Sequence, residues 1–115
     1  MIIGNENKLA SNPVNHPEAR NAAMKVLVSP REGWAGHVMR VIELEKGGFS
    51  PKHCHDWPHI NYMIEGNGTL YLEGKETPVS AGSYACVPAG KEHQYRNTGE
   101  GVFRFICIVP EEGHV

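Results

Sequence analysis

The sequence predicts an all-β fold, one small sandwich or barrel, and three observations carry that prediction. Beyond residue 59 the chain is a succession of short strand-like runs separated by turn pairs such as Asn67-Gly68, Glu73-Gly74 and Ala81-Gly82. At 115 residues it has enough chain for one core and too little for two. Its last run, Val102 to Val109, is apolar on both alternating faces apart from Arg104, the pattern of a strand buried on both sides.

Residues 1 to 23 are polar, interrupted by Pro13 and Pro17, with Asn at 5, 7, 12, 15 and 21. They predict an irregular amino-terminal arm with a short helix over Glu18 to Ala23, ahead of a single barrel domain at 24–115. Met24 to Val28 predicts a strand stopped by Ser29-Pro30. His37 to Leu44 predicts a second, with Val38, Arg40, Ile42 and Leu44 on one face. Gly47-Gly48 is expected to turn the chain, and Asn67-Gly68 to close a tight hairpin after the strand Ile60 to Glu65. Thr69 to Leu72, Lys75 to Val79 and Tyr84 to Val87 complete the predicted strands before the last one. A small barrel has one interior. The second apolar face of the last strand, carrying Ile106 and Ile108, is therefore expected to meet a second subunit or the arm, and a homodimer is predicted.

Composition narrows the function. The formal net charge is -2 and the apolar content 40%, which gives no basic excess for a nucleic-acid partner. No stretch is long and apolar enough to span a bilayer, and Met1 to Lys8 lacks the pattern of a secretory signal. A cytoplasmic protein is expected, and three cysteines at unpatterned spacing fit reduced thiols there.

Chemistry concentrates in His53-Cys54-His55-Asp56-Trp57-Pro58-His59 and in His93. Alternate residues of an extended segment share a face, so His53 and His55 project together, Cys54 projects away, and the parity admits His59 as a third imidazole. Four imidazoles brought together satisfy one another best through a shared cation. His16, His37 and His114 sit in no ligand pattern and are expected to be surface or local hydrogen-bonding residues.

The spacing around these histidines is more specific than the histidines alone. The first segment runs Gly47, five residues, His53-Cys54-His55, three residues, His59, six residues, Gly66. The second runs Gly82, five residues, Pro88-Ala89-Gly90, two residues, His93, three residues, Asn97. Together they resemble the two motifs of the cupins, and the resemblance covers roughly residues 36 to 110. It implies a double-stranded β-helix, the jelly-roll barrel, of the compact single-domain microbial type. In that family the first motif usually supplies two histidines and a glutamate. Here His59 stands at the glutamate position, which implies a four-histidine site on His53, His55, His59 and His93.

Imidazole suits Zn, Cu, Fe, Ni and Mn to differing degrees, so one divalent transition metal per chain is expected with its identity open. Four neutral ligands leave the ion's full charge exposed. An octahedral ion would keep two positions open, whereas a tetrahedral one would be closed.

Parity and the resemblance together turn Tyr95, Phe105, Cys107 and Val109 inward as a pocket wall, or equally as plain core packing. Arg40 is either a carboxylate anchor for a substrate or half of a structural salt bridge. Asp56 is a candidate partner for a ligand imidazole, and Trp57 a candidate cover. The resulting expectation is a metal-dependent oxidoreductase of dioxygenase type acting on a small, partly apolar molecule. The alternatives are a non-catalytic small-ligand or metal-sensing module, or a metal-dependent isomerase or lyase. Glu65, Glu92 and His37 are possible bases with no placement argument.

Overall fold

The computed structural model describes residues 2–114 and is almost entirely strand. In chain order the strands are β1 (Asn12–Pro13), β2 (Arg20–Val28), β3 (His37–Phe49), β4 (His59–Glu65), β5 (Asn67–Leu72), β6 (Lys75–Ser80), β7 (Tyr84–Val87), β8 (His93–Asn97) and β9 (Phe103–Pro110). They pair antiparallel in the order β6-β5-β8-β3-β9-β4-β7, with β2 on the free side of β3. This sheet curls on itself into the jelly-roll barrel, the double-stranded β-helix predicted from the sequence.

β3 belongs to both walls. Its first part, His37 to Leu44, lies between β2 and β9, and its last residue, Phe49, pairs with Arg96 of β8. The passage runs through Gly47 at φ +75, so the expected Gly47-Gly48 turn is instead a bend inside one long strand. The hairpin expected at Asn67-Gly68 is likewise corrected. β4 and β5 do not pair with each other, and the chain turns at Gly66, φ +87, where a Cβ would sit 2.2 Å from the Val102 carbonyl oxygen. The tight hairpin is at Glu73-Gly74, both with positive φ, joining β5 to β6.

The strand expected from Met24 starts at Arg20, where the short helix was expected, because Arg20, Ala22 and Ala23 pair with Phe49, Leu44 and Glu43 of β3. Ahead of it the arm carries a 3-10 turn at Glu6–Lys8 and the two residues of β1. Glu6 ties this arm to the outer face of the barrel: it pairs with Arg104, which also bonds Glu43 (3.1 Å) and Glu65 (3.3 Å), and it lies 3.3 Å from Lys25 Nζ.

β9 alternates strictly. Phe103, Phe105, Cys107 and Val109 are buried and form the core with Val38, Ile42, Leu44 and Met63, while Arg104, Ile106 and Ile108 are only half-buried. Burial on both faces, as expected from the sequence, therefore holds fully for one face. Among the described residues no helix is long and apolar enough to cross a membrane.

Candidate metal centre

Inside the barrel, β8 and β4 each present alternate residues to the interior. From β8 these are His93, Tyr95 and Asn97, all buried; from β4 they are His59, Asn61 and Met63. The segment between β3 and β4 is held to β8 by Ser50, whose amide donates to the Tyr95 carbonyl at 2.9 Å, and by an isolated bridge from His53 to His93, and then leaves the strand conformation. His53 and His55 nevertheless share a side, as their spacing predicts, and Cys54 is exposed.

Ligand atoms of His53, His55 and His93 all lie within 4.8 Å of one another. His59 adjoins this trio rather than completing a fully mutual set of four. Its Nε2 is 3.0 Å from His93 Nε2, and its ring centroid is 5.4 Å from that of His55. The four-histidine set is thus a trio with a fourth imidazole against its inner side.

The other nitrogen of each ring decides what the cluster can do. Nδ1 of His53 lies 3.0 Å from the Pro51 carbonyl, that of His55 2.8 Å from the Trp57 carbonyl, and that of His93 2.8 Å from the Lys91 carbonyl. Nδ1 of His59 lies 2.8 Å from Asn61 Oδ1. Every partner is an acceptor, so each Nδ1 carries the proton and donates, and each neutral ring keeps its lone pair on Nε2. Two such lone pairs face each other 3.0 Å apart between His59 and His93. No hydrogen bond relieves that pair unless one ring gains a second proton, and the interior resists that.

Burial first, and then the neighbouring His93, pulls the His59 pKa down to about 3 from an ordinary 6.5. Burial likewise lowers His53, with His93 and His55 adding to it, and lowers His93 against the opposing hydrogen bond to Lys91. A divalent ion fits this donor set. With metal–nitrogen bonds of about 2.1 Å, ligands at a right angle stand about 3.0 Å apart and tetrahedral ones about 3.4 Å.

These depressed values make a prediction for the metal-free protein. The unfolded chain takes up protons near 6.5 that the folded imidazoles refuse, so this contribution to stability is complete above that pH and is lost as the pH falls toward the folded values. His59 alone accounts for ~3–5 kcal/mol over its whole window. The unfolding midpoint of chelator-treated protein should fall between about pH 6.5 and 5, above the range of most carboxylates, and His59→Gln should flatten that slope. A slope equal in both proteins would overturn the assignment.

A cavity of about 560 Å³ opens onto the histidines. Of the pocket residues expected from the sequence, Arg40, Tyr95, Phe105 and Cys107 line it. Val109 does not: it is 1% exposed, pairs with Val38 in the core, and is corrected to a packing residue. Asp56 is exposed and holds none of the ligand rings, since carbonyls and Asn61 take that role. Glu65 and Glu92 are engaged with Arg104 and Tyr71 and lie outside the cavity. Trp57 stacks on His55 with centroids 4.8 Å apart and planes 9° from parallel.

Several functional positions were not singled out by pattern. Asn61, fully buried, accepts from His59 and from the Tyr95 hydroxyl (2.9 Å) on one oxygen and donates to the Ile106 carbonyl at 3.3 Å. An amide two residues after His59, on the same inward parity of the strand, was its available signal. Burial raises the Tyr95 pKa, so its hydroxyl stays protonated and donates. His16 and His114, expected to be surface or local hydrogen-bonding residues, are that in part, His16 being exposed and accepting from the Glu18 amide at 3.0 Å, yet both also line the cavity. They arrive on the arm and on the carboxy-terminal turn, segments with no periodicity to place them.

A family model described as a cupin domain matches residues 40–109. A curated oxalate-binding protein of Thermotoga maritima is 28% identical over 69 residues, which is 59% of this chain and 57% of that protein. The chain therefore spans less than two thirds of this relative's length. Among solved structures, the polyketide cyclase RemF of Streptomyces resistomycificus superposes with a TM-score of 0.90 at 25% identity, covering 96% of this chain and 80% of that one. A predicted oxalate decarboxylase of Thermotoga maritima superposes at 0.86 with 20% identity, covering 95% and 98%, a likeness of fold.

Proposed function

The chain belongs to the cupin family, and from that premise we propose that it is a metal-dependent oxidoreductase of dioxygenase type. On this reading it holds one divalent transition ion per chain on His53, His55, His59 and His93 and acts on a small, partly apolar substrate. The observation that carries the proposal is the donor set: four imidazoles whose Nδ1 protons are committed to acceptors, leaving four Nε2 lone pairs for a shared cation. The His59 and His93 nitrogens, 3.0 Å apart, are close enough that both rings would hold the same ion, which would supply an electrophilic centre facing the cavity.

When bound, such an ion supplies an electrophilic centre and, if redox-active, a path for electrons between substrate and dioxygen. The protein's own part is positioning. Asn61 and the Tyr95 hydroxyl fix the His59 ring, and the walls built by Met24, Ile42 and Phe105 exclude water and orient an apolar body. No carboxylate lines the cavity among the described residues, which counts against an isomerase or lyase mechanism that needs one as its base. Three unpaired cysteines fit the proposed cytoplasmic location.

The test is turnover by reconstituted protein. Manganese-, iron- or copper-loaded protein should consume dioxygen with some member of a panel of small unsaturated or enolic compounds, and zinc-loaded protein should not. His59→Ala should weaken metal binding if four rings hold the ion and leave it unchanged if three do. Phe105→Ala should alter which compounds react at nearly constant metal content, at a stability cost of about 3–5 kcal/mol. No turnover with any redox metal, in a site closed to solvent, would transfer the protein to the binding-module class.

A further inference from the structure

Among the described residues the charge inside the cavity is unbalanced. Arg40 reaches it from β3, and among the described residues no carboxylate comes within salt-bridge distance of its guanidinium or lines the cavity. Its Nη1 donates to His114 Nδ1 at 3.3 Å, and its Nη2 reaches the Cys107 thiol at 3.6 Å. Among the described residues its Nε is buried with no hydrogen-bond partner. Arg40 is half-buried overall, its guanidinium is permanently charged, and a charge partly withdrawn from water is best tolerated when it is paired. His114 does not relieve it, because burial and then the Arg40 charge itself lower the His114 pKa and keep that ring neutral. The structural salt bridge that was one reading of Arg40 is therefore absent among the described residues.

The geometry of the vacant donors is specific. Nε and Nη2 form one edge of the guanidinium fork, the edge that takes both oxygens of a carboxylate side-on. Here that edge has one unused donor and one weak thiol contact, and Cys107 is itself part of the cavity wall. The wall that Arg40 shares with the histidines includes the apolar Met24, Ile42 and Phe105. A cavity of about 560 Å³ is much larger than a two-carbon diacid requires.

We infer that Arg40 is the anchor for the carboxylate of the substrate: an organic monoacid whose apolar, unsaturated body lies against Phe105 and Ile42 and whose far end reaches the four histidines. The inference rests on the metal-centre reading only for what that far end meets. The Arg40 edge selects an acid with or without an ion present.

Calorimetric titration with trans-cinnamate, its neutral amide and oxalate tests this on metal-free and zinc-loaded protein. Cinnamate should bind at least tenfold more tightly than cinnamamide in both forms. Arg40→Gln should abolish that preference while zinc content stays at the wild-type level. Oxalate should gain only in the zinc-loaded form.

Equal affinity for acid and amide in wild-type protein, or a preference that survives in folded Arg40→Gln, overturns the anchor. If Arg40→Gln does not fold, Arg40→Lys decides. It keeps the charge and loses the fork, so it should weaken cinnamate severalfold and leave the amide unchanged, and an unchanged acid affinity overturns the proposal. Failure of the metal reading looks different: zinc is not retained, yet the acid preference persists and still depends on Arg40.

Discussion

His93→Ala should abolish stoichiometric metal binding near neutral pH, lowering affinity by more than the roughly 10–100-fold that loss of an outer partner costs. The size of the effect follows from position. His93 is 4% exposed, and its ring lies 4.9 Å from those of His53 and His55 and 4.7 Å from that of His59, closer to the set as a whole than His55, whose ring is 4.9 to 5.4 Å from the other three. Asn61→Leu should cost less, within that outer-partner range, because it frees the His59 ring to reorient without removing a donor. His37→Ala is the control, since His37 stacks on Trp34 and is not part of the cavity wall. His16 and His114 do not serve as controls because both line the cavity. Elemental analysis of dialysed, reconstituted protein decides, with circular dichroism to confirm folding. Metal retained at one equivalent by His93→Ala, or lost equally from His37→Ala, would remove the site.

What the sequence disclosed about this centre is what local geometry controls. The HxH spacing and the parity of His93 and Tyr95 depend only on extended backbone, and they place these side chains correctly before any pairing is known. The errors came where distant pairing overrides a local preference. Asn67-Gly68 has the residues of a tight turn, yet β4 and β5 run in different walls, so these two residues open a strand and Gly66 makes the turn. Glu18 to Ala23 has helix-forming alanines, but the hydrogen bonds available along β3 recruit Arg20 onward as strand.

The largest gap was Arg40. Its inward parity was legible, but whether a partner waited for it was not. The residues around it come from β9 and from the carboxy-terminal turn, where His114 meets it across 74 positions of sequence. Ion pairing between segments so far apart has no periodic signature, so a salt bridge and a substrate anchor read alike until the chain is folded.

Replacing both Ile60 and Tyr62 by Lys should convert a dimer to a folded monomer. The prediction comes from the outer face of β9, β4 and β7. Register places Ile108, Ile60 and Cys86 in one row across that face and Ile106, Tyr62 and Tyr84 in the next. In the single chain Ile60 is 54% exposed, Tyr62 48% and Tyr84 82%, and neither row carries a charge. Two adjacent uncharged rows on one sheet form an apolar patch of the kind that marks an interface. We propose a second copy of the chain as its cover, with the arm alongside, where Ile2 and Ile3 are 53% and 85% exposed.

In a two-fold symmetric interface each residue enters twice. Losing the burial of even one such side chain per chain costs ~3–6 kcal/mol, which weakens association a hundredfold or more. Ile106 and Ile108 are poorer targets because they are half-buried within the chain itself, so lysine there would disturb folding as well as docking. Ile60 and Tyr62 already stand in solvent in the monomer, and lysine at those positions should leave the unfolding midpoint of the separated chain close to the value expected for an intact barrel. Light scattering at micromolar concentration reads the outcome. A wild-type chain that is monomeric there, or a double variant that remains dimeric, would show that this face is not the contact.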